Sequence, residues 1–186
     1  MADEPNTEAD PFAAIRAGTN AHRARHRCHA YPFYDGSVLG VIAAAADARR
    51  IVELGTALGY TALWLAYGAP RAQVDTIERD AEHVRIAREN FAAAGLGARI
   101  TAHEGDFESV LPTLAPPYDL GFFDGLAPAP EHLAELRRLL RPRGVLVSSN
   151  LDFASAAPYR TELTNPARWL TSFAAEGGRT AISIRL

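Results

Sequence analysis

Strand-like and helix-like stretches alternate along most of this chain, and that rhythm restricts the fold more than any other feature. Apolar, β-branched or aromatic runs stand at RIVEL (50–54), QVDTIE (73–78), ARITAHE (98–104), YDLGFFD (118–124) and GVLVSS (144–149). Helical patterns fill the intervals: TALWLAYG, DAEHVRIARENFAAAGL, the short FESVLPTL, and EHLAELRRLL. In the second of these, Asp80 is the expected N-cap, Val84, Ala87, Phe91 and Ala94 share one face, and Gly95 is the stop. In the fourth, Leu133, Leu136 and Leu140 form a stripe that ends where Arg141-Pro142 forbids continuation. Neighbouring parallel strands need a crossover long enough to hold a helix. The pattern therefore predicts an α/β fold, a doubly wound and mostly parallel sheet with helices on both faces. The rhythm breaks at the end, where ARWLTSF and RTAISIRL are separated only by AAEGG. With no room for a helix between them, they should form an antiparallel strand pair at the sheet edge.

The chain's 186 residues suffice for one domain with a real core and are too few for two ordinary ones. Residues 1–10 are polar and acidic and read as a flexible tail, 11–48 as N-terminal helices, and 49–186 as the α/β core. Within the N-terminal part, 11–30 reads as one helix with the basic middle NAHRARHRCH, AYPFYDGS as a break, and VLGVIAAAADA as a second helix. Net charge is −3, which gives no basic field for nucleic acid or an anionic membrane. The longest apolar runs fall well short of the roughly 20 residues of a membrane span, and MADEPNTEAD does not read as a signal peptide, so a cytoplasmic protein is expected. Cys28 is the one cysteine, which excludes an internal disulfide and a zinc cage built from several cysteines. All 19 basic residues are arginine. A Walker-type phosphate lysine, a Schiff-base lysine and a lysine general base are thereby excluded, because a guanidinium does not titrate in their place.

In an open parallel sheet the ligand sits at the carboxyl ends of the strands, where the strand order reverses. The first strand delivers Glu53-Leu54-Gly55 to that edge, and Gly55 and Gly59 allow a tight turn and a close approach to a ligand. The next strand ends in Glu78, 23 residues beyond Gly55, the spacing of an acid that binds a ribose diol. The site reads as nucleoside-binding. A dinucleotide fingerprint would need a glycine at Ala57, to admit a pyrophosphate, and would not carry a carboxylate at Glu53. Glu53, Glu78, Asp106 and Asp124 fall at strand ends or just beyond, and four acids around one site suit a cation such as the sulfonium and ammonium of S-adenosylmethionine.

VELGTALGYTALWLA resembles the first motif of class I S-adenosylmethionine-dependent methyltransferases, most closely the small O-methyltransferases related to the catechol and caffeoyl-CoA enzymes. The likeness continues through IERD, EGDFESVLPTL, YDLGFFDG and LRRLLRPRGVLVSSN to GGRTAISIRL. It implies the Rossmann-like class I methyltransferase fold, S-adenosylmethionine as cofactor and a small-molecule methyl acceptor. By this resemblance Glu53, Gly55, Thr56, Ala57, Gly59 and Tyr60 hold the methionine end, and Thr61 opens the helix behind them. Glu78, followed by Arg79, takes the ribose; Gly105, Asp106 and Phe107 border the adenine; Asp124 stands beside the methyl group as a positioning residue. A homodimer is expected from the resemblance alone, and the apolar second helix is compatible with it.

The family's metal-dependent members carry a magnesium-binding aspartate, a lysine three residues later, and an Asp-Asn pair after the fifth strand. Here those positions are Asp124, Ala127 and Ser149-Asn150. One carboxylate and one amide are a poor oxygen set for a hard cation, so a divalent metal is not expected; Asp152 reads as an ordinary loop aspartate. LDFASAAPYRTELTNPARW leaves little helix for a substrate wall. Other candidates are weaker. His22, His26 and His29 would share one helix face beside Cys28, which suits a metal site, a proton relay or, most simply, a solvated basic helix with Arg23, Arg25 and Arg27. Tyr31 and Tyr34 suit a pocket lip or the sheet edge, His103 and His132 have no local signal, and Trp64 and Trp169 read as core. Two other functions stay open: a cofactor-binding protein with decayed catalytic equipment, and, disfavoured by Ala57, a nicotinamide dehydrogenase.

Overall fold

The computed structural model describes residues 10–126 and 128–186, with Ala174 described by its backbone alone. Ala127 and, apart from Asp10, the expected tail lie outside the described residues. Asp10 itself is held, accepting from the Tyr60 hydroxyl at 2.8 Å and lying 3.6 Å from the Arg16 guanidinium.

Seven strands form one sheet in the order β3-β2-β1-β4-β5-β7-β6. They are β1 (Arg50–Leu54), β2 (Gln73–Glu78), β3 (Ile100–Glu104), β4 (Tyr118–Phe123), β5 (Leu140–Ser148), β6 (Trp169–Ala175) and β7 (Thr180–Arg185). The first five run parallel, and β6 and β7 are the expected antiparallel pair at the edge. β7 lies inside β6, antiparallel to β5. The strand order reverses between β1 and β4, which opens a crevice at their carboxyl ends.

Successive residues of the buried strands point to opposite faces of the sheet and split the core into two layers. Ile51, Val74, Leu120 and Phe122 face α2 (Gly36–Ala45), α3 (Tyr60–Gly68) and α4 (Ala81–Ala93), beyond which α1 (Ala13–His26) packs. Val52, Leu54, Ile77 and Phe123 face α6 (Pro130–Leu139) and α7 (Ala157–Leu163), with the single-turn α5 (Phe107–Val110) alongside. Strands β1 and β2 match the sequence reading to the residue, because alternation and turn residues both mark their ends. Asp80 caps α4, accepting from Glu82 N–H at 2.9 Å and His83 N–H at 3.2 Å. Trp64 and Trp169 are buried as expected.

Several boundaries differ. α1 stops at His26 and not at residue 30, because Arg27 adopts the left-handed conformation (φ 54°) and closes the helix by donating to the Arg23 carbonyl. α2 starts earlier than expected, at Gly36, capped by the Asp35 carboxylate on Ser37 N–H. Leu140 begins β5 and is not the end of α6, so Arg141 and Pro142 lie in the strand. Ala94, the residue that caps the C-terminus of α4, is exposed and not on the buried face. The region after Asn150 does contain a helix, the seven-residue α7, which buries Tyr159 and Leu163. Among the described residues no helix is long and apolar enough to cross a membrane.

Candidate functional site

The turn after β1 is built from three residues with positive φ: Gly55 (100°), Ala57 (45°) and Gly59 (94°). At Gly55 the need for glycine is twofold. Its φ disfavours other residues, and a Cβ there would sit 2.9 Å from the Asp124 carbonyl oxygen at the head of β4. At Gly59 a Cβ would strike the Phe91 ring at 2.4 Å. Ala57 holds a left-handed conformation without being glycine because its N–H donates to Glu78 Oε2 at 3.0 Å. Glu78 Oε1 accepts from Asp80 N–H at 3.0 Å, so this one carboxylate ties together the turns after β1 and β2.

Behind the turn lies a buried polar chain. Thr56 and Thr76 share a hydroxyl–hydroxyl bond of 2.6 Å, and the Thr76 hydroxyl bonds Glu53 Oε2 at 2.5 Å. Glu53 is fully buried, and its Oε1 has no hydrogen-bond partner. Burial pushes this carboxyl up to about 8; the Thr61 and Thr76 hydroxyls pull it back, and the neighbouring Asp124 and Glu78 charges add to the rise. Across the crevice Asp124 is pushed up to about 7, chiefly by burial. The Ser149 and Asn150 side chains oppose that rise by hydrogen bonding, and Glu176 adds to it. Ser149 Oγ donates to Asp124 Oδ1, Asn150 Nδ2 reaches the same oxygen at 3.3 Å, and it also donates to the Gly125 carbonyl at 2.8 Å.

A cavity at the β1–β4 crevice is lined by the expected Gly55, Thr56, Ala57, Tyr60, Thr61 and Asp124. Its other wall comes from Thr19 on α1 and from Tyr31, Pro32 and Phe33. Glu53 and Gly59 do not line it: Glu53 lies buried beneath the turn and Gly59 packs on Phe91. Glu78, exposed Arg79, Gly105, exposed Asp106 and Phe107 lie along the neighbouring strand ends, outside this cavity. Gly105 N–H donates to the Glu78 carbonyl at 3.0 Å, and Phe107 packs edge-on to Phe123 and His132. The expected cluster of four acids is likewise uneven. Glu53 and Asp124 have raised pKa values from burial, whereas Asp106 is solvated.

The secondary candidates separate cleanly. Tyr31 lines the cavity, with the Arg23 guanidinium 4.2 Å over its ring, whereas Tyr34 does not line it. His103 pairs with Asp75 at 2.7 Å, and His132 stacks on Phe123 and contacts Glu108 at 2.9 Å. His22 and His26 stack on one face of α1, but His29 lies past the helix end. None of these histidines lines the cavity. The reading of the His22 face as solvated is corrected, since His22 is buried. Asp152 is exposed in its loop, as read. Sequence reasoning missed Thr19, Phe33, Thr76 and Glu176. Thr19 follows Phe12 and Ile15 on one helical stripe, a signal that was available; Thr76 and Glu176 depend on strand register and hairpin placement, which no local pattern encodes.

A family model described as a methyltransferase domain matches residues 52–150, just over half of the chain. The catechol O-methyltransferase of Mycobacterium tuberculosis is 38% identical over 121 residues, covering 62% of this chain and 54% of the relative. The chain thus spans about half the length of the curated relatives it matches. The crystal structure of a cofactor-bound protein from MTB is similar at a TM-score of 0.80 and 28% identity, over 98% of this chain and 93% of that one. The O-methyltransferase TomG of Streptomyces achromogenes, solved in complex with SAM, gives a TM-score of 0.82 over 100% of this chain and 99% of its own; at 21% identity it speaks to the fold alone.

Proposed function

The chain belongs to the methyltransferase-domain family, and from that premise we propose that it is an S-adenosylmethionine-dependent O-methyltransferase acting on a small-molecule acceptor. The observation that carries this reading is the cavity between the Gly55–Gly59 turn and Asp124, with the unpartnered Glu53 Oε1 beneath it. A cationic ligand end suits that environment, because it would stabilise the ionised forms of two carboxyls that burial disfavours. S-adenosylmethionine, when bound, supplies a methyl group activated on a sulfonium. The residues do the rest. The turn 55–61 holds the methionine end through its backbone, supported by Glu53 and Thr76. Glu78 turns from the Ala57 and Asp80 amides to the ribose hydroxyls, with Arg79 beside it, and Gly105, Asp106 and Phe107 border the adenine. Asp124, oriented by Ser149 and Asn150, faces the transferring group and positions the acceptor, so that alignment and exclusion of water supply much of the catalysis.

Magnesium has no dedicated cage in this reading. The Ser149 hydroxyl and the Asn150 amide both donate to the carboxylate that would be the metal's charged ligand. The same arrangement favours a second reading, a binding protein without turnover, since it supplies no obvious base for the acceptor. Calorimetry with S-adenosylhomocysteine tests the site, and methyl transfer from S-adenosylmethionine to a panel of phenols and catechols separates the two readings. Binding without transfer would select the second; absence of binding would reject both. We also infer a homodimer through α2, which exposes Val38 and Val41 with Tyr67 of α3; light scattering would read it.

A further inference from the structure

The structure gathers a second group of reactive side chains where the end of α1 meets the start of α4. His22 and His83 are buried, at 7% and 6% exposure, and Cys28 is half-buried. One donor atom from each lies within 4.8 Å of the other two. The imidazoles meet edge to face with centroids 5.1 Å apart, and His26 stacks on the outer side of His22. Local sequence gives only part of this: His22 and Cys28 are close along the chain, but His83 comes only after β1 and β2, in α4.

We propose that His22, Cys28 and His83 bind a borderline-soft divalent ion of the zinc type, which fastens α1 and its following loop to α4. The chemistry of the donors sets the class. Two imidazoles and a thiolate suit zinc or cobalt and leave a fourth tetrahedral position for water, whereas magnesium prefers oxygen. Metal–nitrogen bonds of about 2.0–2.1 Å and metal–sulfur bonds of about 2.3 Å put ligand atoms roughly 3.3–3.7 Å apart, so the cluster closes by about 1 Å on binding. Cys28 follows the left-handed Arg27 that ends α1, so it lies outside the helix.

The surroundings suit a cation despite the nearby arginines. His83 Nδ1 lies 3.9 Å from Glu78 Oε1, and its Nε2 lies 4.0 Å from Asp80 Oδ2. A carboxylate therefore lies near each ring nitrogen, beyond hydrogen-bond distance, and its negative charge favours a cation in the cluster. Binding releases the Cys28 thiol proton. The ion's place has a consequence for the cavity, since Thr19 of α1 and Tyr31, Pro32 and Phe33, just after Cys28, form one of its walls.

Cobalt is the probe. Chelator-treated wild-type protein should take up one Co²⁺ per chain, with tetrahedral visible absorption and a thiolate-to-cobalt charge-transfer band in the near ultraviolet, both lost on adding Zn²⁺. Cys28→Ser should lose the charge-transfer band, and His83→Gln should weaken cobalt binding about tenfold or more. A measurement on the wild type guards against a variant that fails to fold. Zn²⁺ should slow alkylation of Cys28, the chain's sole thiol, at least severalfold. A flat cobalt titration with unprotected Cys28 would leave the cluster as two packed histidines and a thiol. A spectrum unchanged in Cys28→Ser would place any bound ion elsewhere. Either result overturns the proposal, and neither depends on the methyltransferase reading.

Discussion

The two strand ends that frame the crevice are made differently. On the β1–β2 side the backbone does the work: positive-φ residues turn the chain, and Glu78 ties the Ala57 and Asp80 amides. On the β4–β5 side the work falls to side chains, with Ser149 and Asn150 converging on Asp124 and Glu176 nearby from the β6–β7 turn. A backbone-built site tolerates little change at its glycines and more at its side chains, with Glu78, which ties two of its amides, as the exception. The side-chain-built site has the opposite tolerance, and it is also where this chain departs from the metal-dependent enzymes it resembles.

Gly55→Val should have the largest effect of any single change. Its Cβ meets the Asp124 carbonyl oxygen at 2.9 Å in a left-handed backbone, so the damage falls on the β1–β4 junction as well as on the ligand. A loss of several kcal/mol, about 10 °C in Tm, is expected. Normal melting and normal S-adenosylhomocysteine affinity would mean that this turn is not the rigid side. Next in size, Glu78→Gln should weaken S-adenosylhomocysteine by roughly 2–4 kcal/mol in calorimetry, through lost charge-assisted hydrogen bonds. Equal affinity for the variant would remove the ribose role.

On the other side, Asp124→Asn should lower kcat by about tenfold to a hundredfold with a smaller change in cofactor affinity, since a neutral amide keeps the shape and loses the charge. If affinity falls more than kcat, Asp124 belongs to the cofactor half. The pH dependence should be gentler. Glu53 and Asp124 have folded pKa values of about 8 and about 7, above their ordinary 4.5 and 3.8. Their protonation stabilises the ligand-free fold fully below about pH 4, and that contribution is lost as pH rises through about 7 to 8. Tm of the ligand-free protein should therefore fall across this window, and Glu53→Gln should flatten the slope. A Tm that rises from pH 5 to 8 with no flattening would contradict both shifts. Smallest of all is the effect of magnesium: initial rates with and without millimolar Mg²⁺ should coincide. Activity appearing only with magnesium would rebuild the β4–β5 side around an ion, with Asp152 as the missing ligand.

The same division explains what the sequence disclosed. β1, β2, the Asp80 cap and the Gly55–Gly59 turn rest on neighbours a few residues apart, so alternation, capping and glycine placement expose them. Glu53 was visible as an acid at a strand end, but its burial against Thr76 follows from the β1–β2 register, Glu53 opposite Thr76. The end of α1 turned on one left-handed arginine, which has no compositional signature. The cavity wall from Thr19 and Phe33, and the meeting of His22 with His83, join segments far apart in the chain, and periodicity carries no information about such meetings.

Strand β7 sits between β5 and β6, pairing Val145 with Ile184 and Leu170 with the same Ile184. Among the described residues, β7 alone joins β6 to the sheet, and β5 has no outer partner until residues far downstream return to it. Folding of this margin is governed by long loop closure, so it should be the slow step of assembly and the first region to exchange its amides. Until it docks, β5 presents an open row of peptide groups to any other strand. Lifting β7 away would expose β5 to intermolecular pairing, and the route from this protein to aggregates starts at that edge.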